Sequence, residues 1–152
     1  PDQVTLVPDS IDAVTSNAGW DTIKNKNFLK EVISEFKKNG IRTSIFVDPE
    51  LKFIEGAKET GTDRIELYTE SYATNFEKGN LGEINKYIKA SSLANKLGMK
   101  TNAGHDLNLQ NINYFVSKLP FLDEVSIGHA IVCESLYLGI ENVINLYLQK
   151  IK

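Results

Sequence analysis

The sequence predicts an α/β protein whose strands form a parallel sheet. Short β-rich runs alternate with amphipathic helical stretches, the alternation occurs five times, and no two-residue hairpin turn joins successive runs. Strands that follow one another through a helix pair in parallel by right-handed crossovers. Five such units fit either an open sheet with helices on both faces or the larger part of a TIM (β/α)8 barrel. The strand pattern alone leaves both architectures open.

The five strand-like runs cover residues 4–7, 43–47, 64–69, 99–103 and 124–127. The helix that follows the first run has its apolar side chains at i, i+3, i+4 and i+7, namely Leu29, Val32, Ile33 and Phe36. That helix ends at Asn39 and Gly40, which favour the left-handed backbone of a helix terminus.

The other helices are placed by their start and stop residues. The second has Asp48 as its N-cap, Pro49 at the first helical position and Gly61 just past its end. The rest are bounded by glycine, by proline or by apolar periodicity, and they cover about 82–97, 109–119 and 140–151.

Composition indicates a single domain over residues 1–152. The chain has 17 Lys and Arg against 20 Asp and Glu, and 41% of its residues are hydrophobic. A chain of this length buries roughly 70% of its unfolded surface, which is enough for a core without disulfides or metal. The net charge of -3, without a basic run, argues against nucleic acid and acidic membranes as main partners. No apolar run approaches the roughly 18 residues of a membrane span.

The chain has a single cysteine, Cys133, which we expect to be packed in a helix. A lone cysteine excludes an internal disulfide framework and fits a cytoplasmic location.

Both histidines of the chain follow a strand-like run directly after a glycine. His105 closes the segment NAGH at 102–105, and His129 closes IGH at 127–129. Ligands of α/β proteins bind at the carboxyl ends of parallel strands, where glycine allows close approach to the backbone. One such histidine is ordinary in a surface loop, but two in matching positions predict a functional site.

Glu66 is the second candidate. It alternates with Ile65 and Leu67 in the third run, so its carboxylate points to the other side of the sheet. On a central strand that carboxylate would lie in a crowded interior, where an unpaired charge is costly and is usually kept for a function. On an edge strand it would simply be solvated, and the residues leave both interpretations open.

The loops at the strand ends supply weaker signals. Gly128 and His129 precede an apolar helical segment, so backbone N–H groups there can cradle a phosphate. The segment 9–27 is long for a connection that usually takes about 2–6 residues, and it is either a surface loop or a lid over a substrate. Asp9 and Asp106 also stand at strand mouths, without an assignable partner.

Several segments together resemble the pyridoxine 5'-phosphate synthase family. They are LVP at 6–8, VT at 14–15, IELYT at 65–69 with YA at 72–73, NAGH at 102–105 and IGHAI at 127–131. They occur in the family's order and approximate spacing, over essentially the whole chain. The resemblance implies a (β/α)8 barrel in which the five runs are strands four to eight.

The resemblance also implies an activity. Members of the family condense 1-deoxy-D-xylulose 5-phosphate with 3-amino-2-oxopropyl phosphate and release pyridoxine 5'-phosphate, inorganic phosphate and water. His105 matches the general acid of that reaction, and Glu66 matches a strand carboxylate that stabilises cationic or polarised intermediates. No metal cluster and no dinucleotide-binding glycine motif is visible, so no cofactor is expected. The partners implied are these small phosphorylated molecules and, in a homo-octamer, further copies of the chain.

Other positions match binding residues of the family. Thr15 matches a substrate contact from the long loop, and Gly128 and His129 match a phosphate-binding turn. Asp106 matches a further substrate contact at which glycine is expected in many relatives. Aspartate is tolerable there if the backbone N–H makes the contact, whereas its side chain would repel a phosphate. Asp9 stands where glutamate is expected.

Nothing in the chain matches the first three barrel units of the family. Those units would carry an Asn and an Asp-His pair, a catalytic His with an Arg, and a general-base Glu. Five strands alone would also leave two unpaired edges. Because the sequence opens with Pro1, we expect it to be the C-terminal part of a longer polypeptide.

Two rival classes remain. Another phosphate-binding barrel enzyme is possible, but a Schiff-base aldolase would need an interior strand lysine, and Lys100 starts its run away from the mouth. A receiver-type signalling module would need an Asp closing the third strand and a Lys closing the fifth, where Thr69 and Gly128 stand instead. A non-catalytic five-stranded binding module stays open.

Overall fold

The computed structural model describes residues 1–152 and contains one five-stranded parallel sheet. Its strands are β1 (Gln3–Leu6), β2 (Arg42–Val47), β3 (Arg64–Tyr68), β4 (Lys100–Gly104) and β5 (Leu122–Ser126). All five predicted strands are confirmed, with ends that differ by one or two residues.

The strand order follows the chain, β1-β2-β3-β4-β5, and every neighbouring pair is parallel. A doubly wound sheet reverses its order at a switch point, which sends its helices to opposite faces. Here the order never reverses, so crossovers of one hand carry every helix to the same face. This is the arrangement of a barrel wall.

Seven α-helices and one 3-10 turn accompany the strands. In chain order they are α1 (Lys26–Lys38), α2 (Leu51–Thr60), α3 (Glu70–Glu77), the 3-10 turn (Leu81–Glu83), α4 (Ile84–Lys96), α5 (Ile112–Lys118), α6 (His129–Leu138) and α7 (Ile140–Lys150). The sequence pattern does not predict α3, whose buried face is formed by Tyr72 and Ala73. None of the helices combines the length and the apolar character that a membrane crossing needs.

The core lies between the helices and one face of the sheet. The strand residues on that face alternate with polar ones and include the fully buried Ile45, Val47, Ile65, Leu67 and Ala103. They pack against helix residues such as Leu29, Ile33, Ile54 and Tyr87. Each large apolar side chain buried in this way contributes roughly 1.5–3 kcal/mol of transfer free energy.

The predicted start of α2 is wrong. The helix begins at Leu51 with Glu50 as its N-cap, and no side chain caps it. The Asp48 carboxylate instead accepts a hydrogen bond from the backbone N–H of Gly19, at 3.1 Å. A contact with the β1–α1 loop therefore replaces the local cap that the sequence suggested.

Two further expectations need correction. The helix predicted over 109–119 begins only at Ile112, because Asn108 and Asn111 form a turn in which each side chain bonds the other's backbone N–H. Cys133 is exposed and not packed. It lies on α6, whose outer face is uncovered and also exposes Leu136 and Tyr137.

Candidate active site

The sheet face opposite the helices is polar and carries Glu66. The register aligns four of its residues in one row across four strands, namely Phe46, Glu66, Asn102 and Glu124. Because β3 is the middle strand, Glu66 is only 8% exposed. The central-strand interpretation of this carboxylate is therefore the right one.

Burial sets the chemistry of Glu66. Loss of solvent raises the pKa of its carboxyl, and the negative charge of Glu124 acts in the same direction, while hydrogen bonds from Thr5 and Ser126 oppose them. The Thr5 hydroxyl donates to Oε2 at 3.1 Å. The Glu66 carboxyl consequently holds its proton to a higher pH than an exposed glutamate does.

The Glu66 carboxylate lies directly against Gly104. A Cβ atom placed on Gly104 would lie 2.5 Å from Glu66 Oε1 and 3.0 Å from Ser126 Cβ. A Cβ at such distances would have to displace the carboxylate or the strand, so glycine as the last residue of β4 lets the carboxylate lie against the backbone. The close approach that the sequence suggested at this glycine is thus made by a protein carboxylate.

His105 follows Gly104 in an unusual backbone conformation. His105 and the next residue, Asp106, both have positive φ, at 85° and 58°. Non-glycine residues in this region cost on the order of 1–3 kcal/mol each, and such outliers cluster at functional sites. The turn projects the imidazole toward the carboxyl end of the sheet, where its side chain is 16% exposed.

Contacts fix the His105 ring on several sides. Nε2 lies 3.1 Å from the Thr15 hydroxyl, and the ring meets Tyr68 edge to face with centroids 4.9 Å apart. Nδ1 lies 3.0 Å from an Asp106 carboxylate oxygen, but the alignment is not that of a hydrogen bond, and Nδ1 has no hydrogen-bond partner. Nε2 thus contacts the loop, whereas Nδ1 is buried beside the Asp106 carboxylate without a hydrogen bond.

The long loop between β1 and α1 runs over the carboxyl ends of the neighbouring strands. The Tyr68 hydroxyl donates to the Ser16 carbonyl at 3.3 Å, and the backbone N–H of Trp20 donates to the Phe46 carbonyl at 2.8 Å. Within the loop the Ser16 hydroxyl donates to Asp9 at 2.6 Å. These contacts attach residues 15–20 of the loop to the carboxyl ends of the strands, whereas residues 9–14 are exposed.

A cleft of about 520 Å³ brings together four of the predicted site residues. Its lining includes His105, Asp106, Gly128 and His129, and also the exposed Cys133. Thr15 meets this group through His105, whereas Glu66 does not line the cleft. A larger cleft of about 690 Å³ lies along α1 and contains none of the candidate residues.

The turn at Gly128 and His129 forms the start of α6. Gly128 is the N-cap, both residues are exposed, and a Cβ on Gly128 would meet no atom within 4 Å. The first N–H groups of a helix lack partners within it, and they attract anions. The geometry is suited to a phosphate group.

Two further observations concern metal ligands and the lysine of a Schiff-base aldolase. No group of three or more histidine, cysteine or acidic side chains is arranged to hold a metal ion. Lys100, the lysine that an aldolase would need, starts β4 and pairs with Asp123 at 2.9 Å, at the end opposite His105.

Sequence reasoning missed several residues that touch the site. Tyr68 and Thr5 contact the two candidate catalytic side chains, and Thr69 and Asn111 hydrogen-bond the backbone of the His105 turn. The alternation of β3 does place Tyr68 on the face of Glu66. The other three contacts join distant parts of the chain and leave no local signal.

Comparison with known proteins decides the family. The family model described as "Pyridoxal phosphate biosynthesis protein PdxJ" matches residues 1–152. The chain belongs to the PdxJ family. This is a TIM-barrel family, and the five consecutive parallel strands correspond to part of such a barrel.

Curated PdxJ relatives are similar over the whole chain. Proteins named pyridoxine 5'-phosphate synthase from Flavobacterium johnsoniae and Christiangramia forsetii are 65% and 62% identical over 152 residues, which are 100% of this chain. One of the same name from Bacteroides fragilis is 52% identical over 147 residues, 97% of this chain. The chain spans 64% of the length of the first two and 62% of the third.

Proposed function

We propose that this chain is part of a pyridoxine 5'-phosphate synthase. The enzyme would condense 1-deoxy-D-xylulose 5-phosphate with 3-amino-2-oxopropyl phosphate to pyridoxine 5'-phosphate, inorganic phosphate and water. The observation that carries the proposal is the shared cleft of His105 and the Gly128–His129 turn, in a chain 65% identical to a curated relative of that name.

His105 is proposed as the general acid. Imine formation, dehydration and ring closure all require proton transfer to or from oxygen, nitrogen or carbon, and histidine changes its charge closest to neutral pH. The contact of Nε2 with the Thr15 hydroxyl orients the ring, and it gives the nitrogen a polar partner that a substrate oxygen can replace.

Glu66 is proposed to stabilise positive charge that develops during the reaction. A carboxyl in a low-dielectric site interacts strongly with a nearby cation, so an iminium-like intermediate favours its ionised form. In the absence of that charge, burial favours the protonated form.

Phosphate binding is assigned to the start of α6 and to the backbone of the His105 turn. Gly128 and His129 supply N–H groups and an exposed imidazole beside the cleft. Asp106 is proposed to use its backbone N–H, because its side chain is 40% exposed and turned toward His105 Nδ1. Holding both phosphorylated substrates in register is a large part of what a condensation requires.

Part of the catalytic machinery of the family has no match in this chain. The remaining acid-base residues would come from the first three barrel units of the full-length protein. The family resemblance adds a cytoplasmic homo-oligomer, with an octamer as the expected size. Light scattering on the full-length protein tests the assembly.

The test of activity uses the full-length protein and both substrates. We expect pyridoxine 5'-phosphate and inorganic phosphate in equal amounts, and neither product when one substrate is omitted. A folded full-length protein that forms no pyridoxine 5'-phosphate would contradict the proposal. Phosphate release from a single substrate would point to a different phosphate-binding barrel enzyme.

A further inference from the structure

The backbone turn that carries His105 is held from both sides by buried hydrogen-bond donors. His105 and Asp106 are consecutive residues with positive φ, a conformation that persists only where surrounding contacts impose it. Each of the three successive carbonyl groups of Gly104, His105 and Asp106 accepts a hydrogen bond from a side chain of another segment.

Thr69 supplies the donor on one side. Its hydroxyl donates to the Gly104 carbonyl at 2.8 Å and also contacts the His105 carbonyl, and its backbone N–H donates to the Gly104 carbonyl at 3.0 Å. Thr69 is the N-cap residue of α3, where a threonine side chain ordinarily accepts a bond from its own helix. Here it makes no such bond. The fully buried hydroxyl is directed to the His105 turn instead.

Asn111 supplies the donor on the other side. Its Nδ2 donates to the Asp106 carbonyl at 3.1 Å, and its Oδ1 accepts from the Asn108 N–H at 2.9 Å. Its own carbonyl accepts the Tyr72 hydroxyl at 2.7 Å, so α3 and the start of α5 are tied together behind the turn. The side chain is 1% exposed and does not line the cleft.

We propose that Thr69 and Asn111 are positioning residues that hold the turn in its left-handed conformation and so aim the His105 imidazole at the candidate site. This inference rests on the proposed function of His105. The single hydroxyl hydrogen of Thr69 is shared between two carbonyls; without it the His105 carbonyl loses its side-chain donor, the Gly104 carbonyl keeps only the Thr69 backbone N–H, and the turn can relax to an ordinary negative φ. The imidazole would then leave Thr15 and Tyr68, and the Asp106 N–H would shift with it, while the Gly128–His129 turn at α6 would stay in place.

The test compares four variants of the full-length enzyme with the wild type, two at Thr69, one at Asn111 and one control. Thr69→Val keeps the shape of the side chain and removes the donor, and Thr69→Ser restores the donor. Thr60→Val is the matched control, because Thr60 is also buried and its hydroxyl donates to a backbone carbonyl, that of Ala57, at the distant end of α2. All are assayed well below their melting temperatures.

We expect Thr69→Val to lower kcat at least tenfold and to raise KM by a smaller factor, since the Asp106 N–H shifts with the turn, and Thr69→Ser to return kcat to within threefold of the wild type. Thr60→Val should lose thermal stability but keep its kcat. The histidine carbon-proton NMR signal assigned to His105 should move in Thr69→Val and stay in Thr60→Val. Asn111→Asp removes the amide donor to the Asp106 carbonyl. It should likewise lower kcat by a larger factor than it raises KM.

Wild-type activity tests the proposed function, whereas the kinetics of the variants and the His105 NMR signal test the positioning role of Thr69 and Asn111. A wild-type enzyme without activity refutes the function, and the His105 signal then still reports on positioning. Wild-type kcat and an unmoved His105 signal in Thr69→Val overturn the inference. Equal losses of kcat in Thr69→Val and Thr60→Val overturn it as well. If Thr69→Val and Asn111→Asp both fail to fold while Thr60→Val folds, the role is structural and the inference is wrong.

Discussion

Thr15 and His105 are 90 positions apart in the chain, yet the threonine hydroxyl lies 3.1 Å from Nε2 of the imidazole. The contact joins the loop after β1 to the mouth of β4. Tyr68 adds a second connection, because its ring packs edge-on against His105 while its hydroxyl donates to the Ser16 carbonyl. Loop position and imidazole orientation are therefore linked through adjacent loop residues.

Removing the Thr15 hydroxyl should loosen that link. We expect Thr15→Val in the full-length enzyme to lower kcat/KM by about threefold to tenfold, the range of one hydrogen bond worth about 0.5–1.5 kcal/mol. Thr15→Ser, which keeps the hydroxyl, should restore most of the loss. Steady-state kinetics with both substrates checks this, and equal activities of Thr15→Val and the wild type would show that the contact has no functional role.

Gly104 should not tolerate even the smallest side chain. Gly104→Ala places a Cβ 2.5 Å from Glu66 Oε1, so the carboxylate or the strand must move, at a cost of about 1–3 kcal/mol for overpacking. We expect a lower melting temperature and lower activity. Gly82→Ala is the control, because its Cβ would have its nearest neighbour at 3.5 Å. Unchanged melting temperatures for both variants would contradict the packing described.

Glu66 should make the stability of the fold depend on pH. Its folded-state pKa lies above the ordinary value of 4.5, so the stability that it contributes is fully present below 4.5 and is lost as the pH rises through the folded value. The uncharged Glu66→Gln variant lacks this loss. The difference between its melting temperature and that of the wild type should therefore increase, in favour of the variant, as the pH is raised from 4.5 to neutral. A difference that does not change with pH would mean that Glu66 has an ordinary pKa.

Asp63 should make the stability of the fold depend on pH in the direction opposite to that of Glu66. Burial disfavours its charge, but the Lys37 ammonium and the N–H and hydroxyl of Thr43 outweigh burial and hold its pKa below 3.8. Its stabilising contribution is therefore present above 3.8 and is lost as the pH falls through the folded value.

We expect Asp63→Asn to lower the free energy of unfolding at pH 7 by about 1–2 kcal/mol, at and below the low end of the roughly 1.5–3 kcal/mol of hydrogen bonds to charged groups, because the side chain is one third exposed. The deficit should shrink as the pH falls below 4. Asp12→Asn, at an exposed position of the loop, is the control and should change little. Denaturant titrations at pH 7 and near pH 3 measure both variants, and a deficit that is equal at both values would refute the assignment.

The sequence predicted those parts of the molecule that follow from local pattern. Period-two alternation located the strands and the face of Glu66, and glycine at the strand ends drew attention to His105 and His129. The barrel-like strand order could not be derived from the same pattern, because it depends on which strands pair. The family resemblance supplied that expectation.

Tertiary contacts explain the failures. Asp48 has the sequence context of a helix cap, but a backbone N–H from a loop 29 positions away takes its carboxylate. Cys133 has the neighbours of a packed residue, yet no element covers its side of α6. The sequence places Thr69 only at the end of the third run, because its hydroxyl contacts a carbonyl 35 positions further along the chain.

The measurement that most directly tests the central claim is the kinetic comparison of wild-type and His105→Ala full-length enzyme with both substrates. Loss of a general acid typically costs about 10²–10⁴ in rate. We predict a fall in kcat of at least about a hundredfold, with KM values changed by less than about threefold because the phosphate-binding turn at α6 is untouched. An unchanged kcat in His105→Ala would contradict the account, since the chemistry would then not pass through the histidine on which the site is built.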